Sequence, residues 1–494
     1  MLAQLIKIGP ARRQNLRYLD LACIGLLLAY FLHFALPALA GGFREDEMMN
    51  LYEYWRPGAF KSIQANLCFW SSFNRPAGAL YYLPLYHFFS LNPLPYRIVH
   101  ISILAATIPI FFCLAQLLSG SRAVAFLGAL AMCYHGQMAS LVFAGSFIYD
   151  VLCGFFYFAA LTYYVRIREK GVMLRPGQLA IFLALYVCAL NSKEMAVSLP
   201  VIVFMYEALK CPRLRDWKQF AWRNWCVAIP AFVAALVTAI YICGKLSGPH
   251  ALANLKAYRP VYSWHRFTIT NAHFINDLLY ESTSPIGRAV LFAWPVVFVY
   301  AFWRRDRLLQ LMAFWVVITP LPLAFILPRG EAVFYIVLFG WATIFARMLS
   351  DLIGLIVKLP VLAGPRTATL PTFATAAVAV VFAVFTHWEN QRFDRTRGLL
   401  SSGQKSLHVI QAFRSLNLHP HPGSTILLKP ETRFYQNGYY PAFVASLVWN
   451  DRSLRVYVAG QHQLTPEQIA KMSYVISFNE FSAQLVRAAE SDRS

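Results

Sequence analysis

The chain has 494 residues, is 58% hydrophobic and only 14% charged. That is too little charge for the surface of a soluble protein this size, so the composition reads as a polytopic membrane protein. The net charge of +21 suits anionic lipid or lipid phosphate. No interleaving of basic and aromatic residues of the kind that grips nucleic acid stands out.

The N-terminus is basic, with Arg12, Arg13 and Arg17 before the first apolar run. That run is long and lacks a convincing small-x-small cleavage site, so it reads as a retained signal-anchor helix with its basic end in the cytoplasm. Eleven spans are expected: 19–40, 97–118, 122–144, 147–165, 178–191, 195–209, 225–243, 286–303, 308–327, 332–349 and 368–387. The repeated runs approach the roughly 20 residues that cross a hydrocarbon core. Basic residues fall on alternate loops, as retention of Lys and Arg in the cytoplasm requires: Arg122, then Arg166 to Arg175, Lys210 to Arg223, Arg304 to Arg307, and Lys358 with Arg366. The other loops are then extracytoplasmic: 41–96, about 145, 191–194, 245–285, 328–331 and everything after 388. The nine cysteines form no CxxC, and most lie in or beside apolar runs. Neither a zinc ribbon nor a disulfide framework is implied. The lack of any Asn-X-Ser/Thr acceptor leans toward a bacterial protein, in an inner (plasma) membrane with its site facing the periplasm or exterior.

Residues 1–387 thus form a membrane domain with a large first extracytoplasmic loop, 41–96. Residues 388–494 change character. A helical pattern at 406–416 and strand-like runs at 424–430, 454–458 and 474–478 predict a small α/β domain. Thr465-Pro466-Glu467-Gln468 reads as a capped helix start within it.

Nearly every unusual polar cluster near a membrane boundary falls on the extracytoplasmic side. Glu45-Asp46-Glu47 follows the first span. A carboxylate there can take a proton from an acceptor hydroxyl or hold a divalent cation, or the triplet is simply a solvated helix start. If Asp46 starts a helix, Asn50 and Glu53 lie one and two turns on. Arg75 offers a guanidinium fork for phosphate; Arg97 and His100 open the second span, where a snorkelling role is equally open. His135 lies near a short turn and is read first as a satisfied core residue. Asp150 enters an apolar helix, where a carboxylate is functional or paired. Ser192-Lys193-Glu194 sits between two apolar runs, either as a Lys–Glu self-pair or with Lys193 on a lipid phosphate. Arg329 occupies a minimal loop suited to phosphate or diphosphate, with Tyr335 beyond it for a sugar or prenyl contact. No GxxxxGK[ST], HExxH, GxSxG or Rossmann glycine fingerprint occurs, which leaves a nucleotide-driven pump and the familiar membrane hydrolases unsupported.

In order, Phe43-Arg44-Glu45-Asp46-Glu47, Arg75-Pro76 through Asn92-Pro93, Tyr96 and His100, His135 with Asp150, Ser192-Lys193-Glu194, and Arg329 with Tyr335 resemble the motifs of the GT-C superfamily of polytopic glycosyltransferases. They are most similar to the branch of transmembrane-and-tetratricopeptide O-mannosyltransferases and its bacterial relatives. The similarity covers roughly residues 40–350. It implies inverting transfer of a sugar from a polyprenyl-phosphate donor to a lipid, glycan or protein acceptor. Asp46, with Glu47 beside it, would activate the acceptor, and Lys193, Arg329 and Arg75 would hold the donor phosphate. The chain departs from that branch in lacking tetratricopeptide repeats, which leaves a protein acceptor and mannose without support. The expected fold is an α-helical membrane protein of about eleven helices with the small extracytoplasmic domain. A flippase for lipid-linked sugar and a non-catalytic scaffold are the alternatives. No metal site is assigned.

Overall fold

A computed structural model describes residues 10–210, 225–247, 259–280, 286–357, 369–392 and 395–488. The basic run at 211–223 and the residues around Lys358 and Arg366 lie outside them. The first helix, α1 (Pro10–Ala35), continues as a 3-10 turn to Ala40. The first loop is itself helical: α2 (Glu45–Trp55), α3 (Ala59–Leu67) and α4 (Ala77–Phe89). The bundle continues with α5 (Pro93–Ser119), α6 (Arg122–Cys133), the single turn α7 (Ser140–Phe143), α8 (Ile148–Arg168), α9 (Pro176–Ser192) and α10 (Leu199–Lys210). Then follow α11 (Trp225–Leu246), α12 (Trp264–Leu278), α13 (Ile286–Trp303), α14 (Arg307–Ile318), the turn α15 (Leu321–Ala324), α16 (Tyr335–Val357) and α17 (Leu370–Arg392).

Eight helices among the described residues are long and apolar enough to cross a membrane. The count rises to nine if α6 and the segment Gly136–Phe143, bent by 42°, form one span. Helix α9 is a shorter apolar helix, and α10 has 12 residues. Of the eleven expected segments, 178–191 and 195–209 fall on helices of 17 and 12 residues and 122–144 is broken at 134–135, so among the described residues eight or nine spans replace the eleven. The chain is an integral membrane protein.

Helices α8 and α16 run through the middle of the bundle, while α17 lies at its edge with 6% of its apolar window buried. The centre is aromatic: Trp315 packs on Tyr157, Phe158 and Phe339, and its indole N–H donates to the Ile336 carbonyl at 2.9 Å. A buried indole needs such a partner, because its donor cannot be left unsatisfied.

Beyond α18 (Arg395–Ser415), a four-stranded sheet holds β1 (Thr425–Pro430), β2 (Arg455–Val458), β3 (Tyr474–Phe478) and β4 (Ala483–Ala488) in the order β2-β1-β3-β4. Strand β1 pairs parallel with β2 and β3, and β4 is antiparallel to β3. Helices α19 (Tyr440–Trp449) and α20 (Pro466–Ala470) supply the crossovers that parallel strands require. The period of two along β1 divides its side chains. Ile426 and Leu428 join the core shared with α18 and α19, whereas Leu427 faces a small cluster with Met472 and Val475.

This domain sits on the first loop. Gly42 and Gly403 of α18 meet backbone to backbone; a Cβ on Gly42 would lie 2.2 Å from the Gly403 carbonyl oxygen. Only glycine permits that approach.

Candidate functional site at one end of the bundle

The site is built around the turn at 144–147 that leads into α8. Helix α2 starts beside it, with Arg44 extended as the cap and three carboxylates in the first turn, where the helix dipole favours negative charge. The helical period sends the three in different directions. Glu47 turns inward: Oε1 accepts from the Gly145 N–H at 2.7 Å, and both oxygens accept from Arg97 Nη2, at 3.0 and 3.1 Å. Arg97 also donates to the Gly41 and Gly42 carbonyls. Glu47 and Arg97 are 2% and 1% exposed, so the pair is structural cement under the loop. Glu45 turns toward the C-terminal domain and accepts from the backbone N–H groups of Gln436 and Asn437, the latter at 2.8 Å.

Asp46 is the exposed member of the three. Asn50 and Glu53 follow it at i+4 and i+7 and share its face. The charges of Asp46 and Glu53 both reach the Tyr149 phenol.

Four charged side chains interlock behind Tyr149. Asp150, in the first turn of α8, accepts from Lys193 Nζ at 2.5 Å. Arg75 grips Glu194 with two parallel bonds of 3.1 Å, Nε to Oε1 and Nη2 to Oε2. Lys193 is extended at the end of α9 (φ −161°, ψ 151°), so successive side chains point apart and Lys193 and Glu194 take separate partners. The self-pair left open by the sequence does not form. Arg75 has left-handed backbone, φ +43°, and its guanidinium lies 5.3 Å from the centre of the Tyr149 ring. Tyr54 Oη donates to the Arg75 carbonyl at 2.8 Å and lies 3.0 Å from Tyr149 Oη. Burial and the neighbouring Tyr149 push the Tyr54 phenol well up, which keeps its proton in place for that bond. Burial raises the Glu194 carboxyl, but the Arg75 charge and hydrogen bonds, joined by Lys193, outweigh it and hold it below its ordinary value.

The remaining candidates are more dispersed. Arg329 is half-buried in the loop at 328–330. A Cβ on the next residue, Gly330, would stand 3.9 Å from the Phe147 ring, which puts this loop against the same 144–147 turn. His135 is 7% exposed; its Nε2 pairs with the Leu278 carbonyl at 3.1 Å and its ring stacks on Tyr280, with centroids 4.3 Å apart. It forms the polar end of an apolar cavity of about 360 Å³ between α6, α16 and α17. Tyr335 belongs to the bundle core instead of the charge cluster. It is 3% exposed, edge-on to Phe111 and in contact with Gly154 of α8, so the sugar contact expected for it is not prepared here. Among the described residues no group of three or more His, Cys, Asp or Glu could hold a metal ion, and the divalent cation considered from sequence has no built cage there.

Two partners escaped the sequence. Tyr54 and Tyr149 carry no motif signal, since aromatic residues are common throughout. The tie from Asn191 Nδ2 to the Asn66 carbonyl, 2.8 Å, spans 125 positions that only folding brings together.

Fold and site define a polytopic helical membrane protein with an ion-paired cluster at one end and an α/β domain clamped over its first loop. No protein-family model matches the sequence, and no curated protein matches it. Among solved structures the chain is similar to the crystal structure of an oligosaccharyltransferase of Archaeoglobus fulgidus tethered with an acceptor peptide. The TM-score is 0.49 and the identity 12%, over 89% of this chain and 63% of that one. The chain therefore spans less than two thirds of the archaeal protein, and a likeness at that level assigns neither family nor activity.

Proposed function

We propose that the protein is a GT-C-type membrane glycosyltransferase that moves a sugar from a polyprenyl-phosphate donor to an acceptor on the extracytoplasmic face. One observation carries the reading. Of three adjacent carboxylates, two are tied down, and Asp46 is left exposed on the face of α2 that carries Asn50 and Glu53. Asp46 takes the proton of the acceptor hydroxyl. The acceptor oxygen forms its bond to the anomeric carbon opposite the phosphate, and the anomeric carbon–oxygen bond breaks with its electron pair passing to the phosphate. The configuration inverts. Arg329 supplies positive charge at the neighbouring turn, where fixed cations offset the developing phosphate charge. Arg75 and Lys193 hold the floor of the site through Glu194 and Asp150. The cavity ending at His135 is apolar enough for a prenyl chain.

The test is transfer from a panel of polyprenyl-phosphate sugars in proteoliposomes. Asp46→Asn is expected to lower turnover by about 10²–10⁴-fold, the range for loss of a general base, with donor binding retained. Wild type that transfers no sugar but moves lipid-linked sugar between leaflets overturns the reading in favour of a flippase.

A further inference from the structure

A second cavity lies at the other end of α2, where the first loop meets the C-terminal domain. Its volume is about 770 Å³, and unlike the cavity at His135 it mixes polar and apolar walls. Trp55 and Tyr86, 4% and 8% exposed, form its aromatic side. Asn450, in left-handed backbone at the end of α19, accepts through Oδ1 from Trp55 Nε1 at 3.0 Å, and Tyr86 Oη, which donates to the Leu447 carbonyl at 2.6 Å, lies 3.1 Å from the same oxygen. These bonds fix both rings, and among the described residues Asn450 Nδ2 makes no hydrogen bond, so its protons remain for a ligand. The Arg452 guanidinium lies 5.5 Å from the centre of the Trp55 ring. It makes no hydrogen bond among the described residues, so all its N–H donors remain available. His87 and Asp451 complete the rim.

We propose that this cavity binds a saccharide, as a subsite for a glycan acceptor. Sugars present a belt of hydroxyls to planar amide, carboxylate and guanidinium groups, and this wall offers each of those partners, with the largely buried Trp55 and Tyr86 rings lining the back of the cavity. An apolar ligand would leave Arg452 and Asn450 unmatched, and a strongly anionic one would meet the Asp451 carboxylate, whose Oδ1 already accepts from the Ser453 amide and hydroxyl. Trp55 stands nine residues along α2 from Asp46, a rise of about 14 Å and about half a turn around the axis, so the two side chains leave opposite faces of the helix. A chain seated at Trp55 must pass both along and around α2 to reach Asp46, which takes several sugar units, so the acceptor class is an oligosaccharide. The acceptor assignment rests on the transferase reading; the binding site does not.

The test is binding of neutral hexose and N-acetylhexosamine oligomers, from monosaccharide to hexasaccharide, to the full-length protein in nanodiscs by calorimetry and tryptophan fluorescence. At least one oligosaccharide is expected to bind about tenfold or more tightly than its monosaccharide, a gain of about 1.4 kcal/mol. Arg452→Ala and His87→Ala, both exposed positions, are expected to lose about tenfold or more, whereas Asp46→Asn retains binding. Absence of binding across the panel, or binding indifferent to both rim variants, overturns the proposal. Intact glycan binding in a wild type that transfers no sugar would leave the site standing and remove the transferase reading.

Discussion

A carboxylate 2% exposed and bonded to a guanidinium 1% exposed must stay ionised in company or not at all, because an unpaired buried charge is expensive. Glu47→Gln leaves Arg97 uncompensated, and we expect a loss of about 3–5 kcal/mol, the cost of breaking a buried pair, read as a lowered melting temperature in detergent. Asp46→Asn, at an exposed position, should stay within about 0.5 kcal/mol of wild type. Glu194 gives a pH signature. Its folded value is depressed, so its contribution is fully present above the unfolded glutamate value of about 4.3. It is lost as pH falls through the lower folded value. Melting of wild type should therefore fall more steeply on acidification below about pH 4.3 than melting of Glu194→Gln, which lacks the contribution at every pH; parallel profiles would contradict this. The sequence marked Ser192-Lys193-Glu194 as an anomaly because opposite charges between apolar runs are costly. Partner choice was not legible, since Asp150 lies 43 positions from Lys193 and Arg75 lies 119 from Glu194.

At the scale of elements, the 144–147 turn is the joint on which α2, α5 and α8 converge. A Cβ on Gly145 would lie 2.8 Å from Arg97 Nη1 and 2.9 Å from Glu47 Oε2. Gly145→Ala must push the ion pair apart, at about 1–3 kcal/mol, the usual cost of overpacking, and thermal melting should register it. Severing the other tether has a local readout. In Glu45→Ala, the amides of Gln436 and Asn437 lose their acceptor, and their hydrogen exchange should accelerate while the sheet amides of β1 and β3 stay protected. Long apolar runs made the spanning helices readable. The first-loop helix α3, and α12, were missed because they are short and carry mixed polarity, and α4 because its apolar run is only 13 residues long. The Thr465 capping box and strands β1 to β3 were found because cap chemistry and β-branched runs are local. Helix α19 and strand β4 were missed.

At the scale of the whole molecule, the cluster of Arg75, Asp150, Lys193 and Glu194 lies at one end of the bundle. Ion pairs occupy the other end as well: Asp20 with Arg122, Glu207 with Arg168 and Glu169 with Lys210. These anchor helix ends without approaching the cluster at Tyr149. What the sequence could not show was that its last hundred residues close over its first loop, because no local pattern encodes a contact between Gly42 and Gly403.

That clasp sets a timetable for the growing chain. Glu45 and Gln436 are 391 positions apart, and at about 5–20 residues per second of synthesis the second follows the first by roughly 20–80 s. Through that interval the acidic helix has been made while Gln436, Asn437, Asn450 and Gly403 have not. A nascent protein halted before α18 therefore carries its proposed base but not the lid of its proposed glycan pocket. Maturation of the site is a late event that coincides with arrival of the final domain.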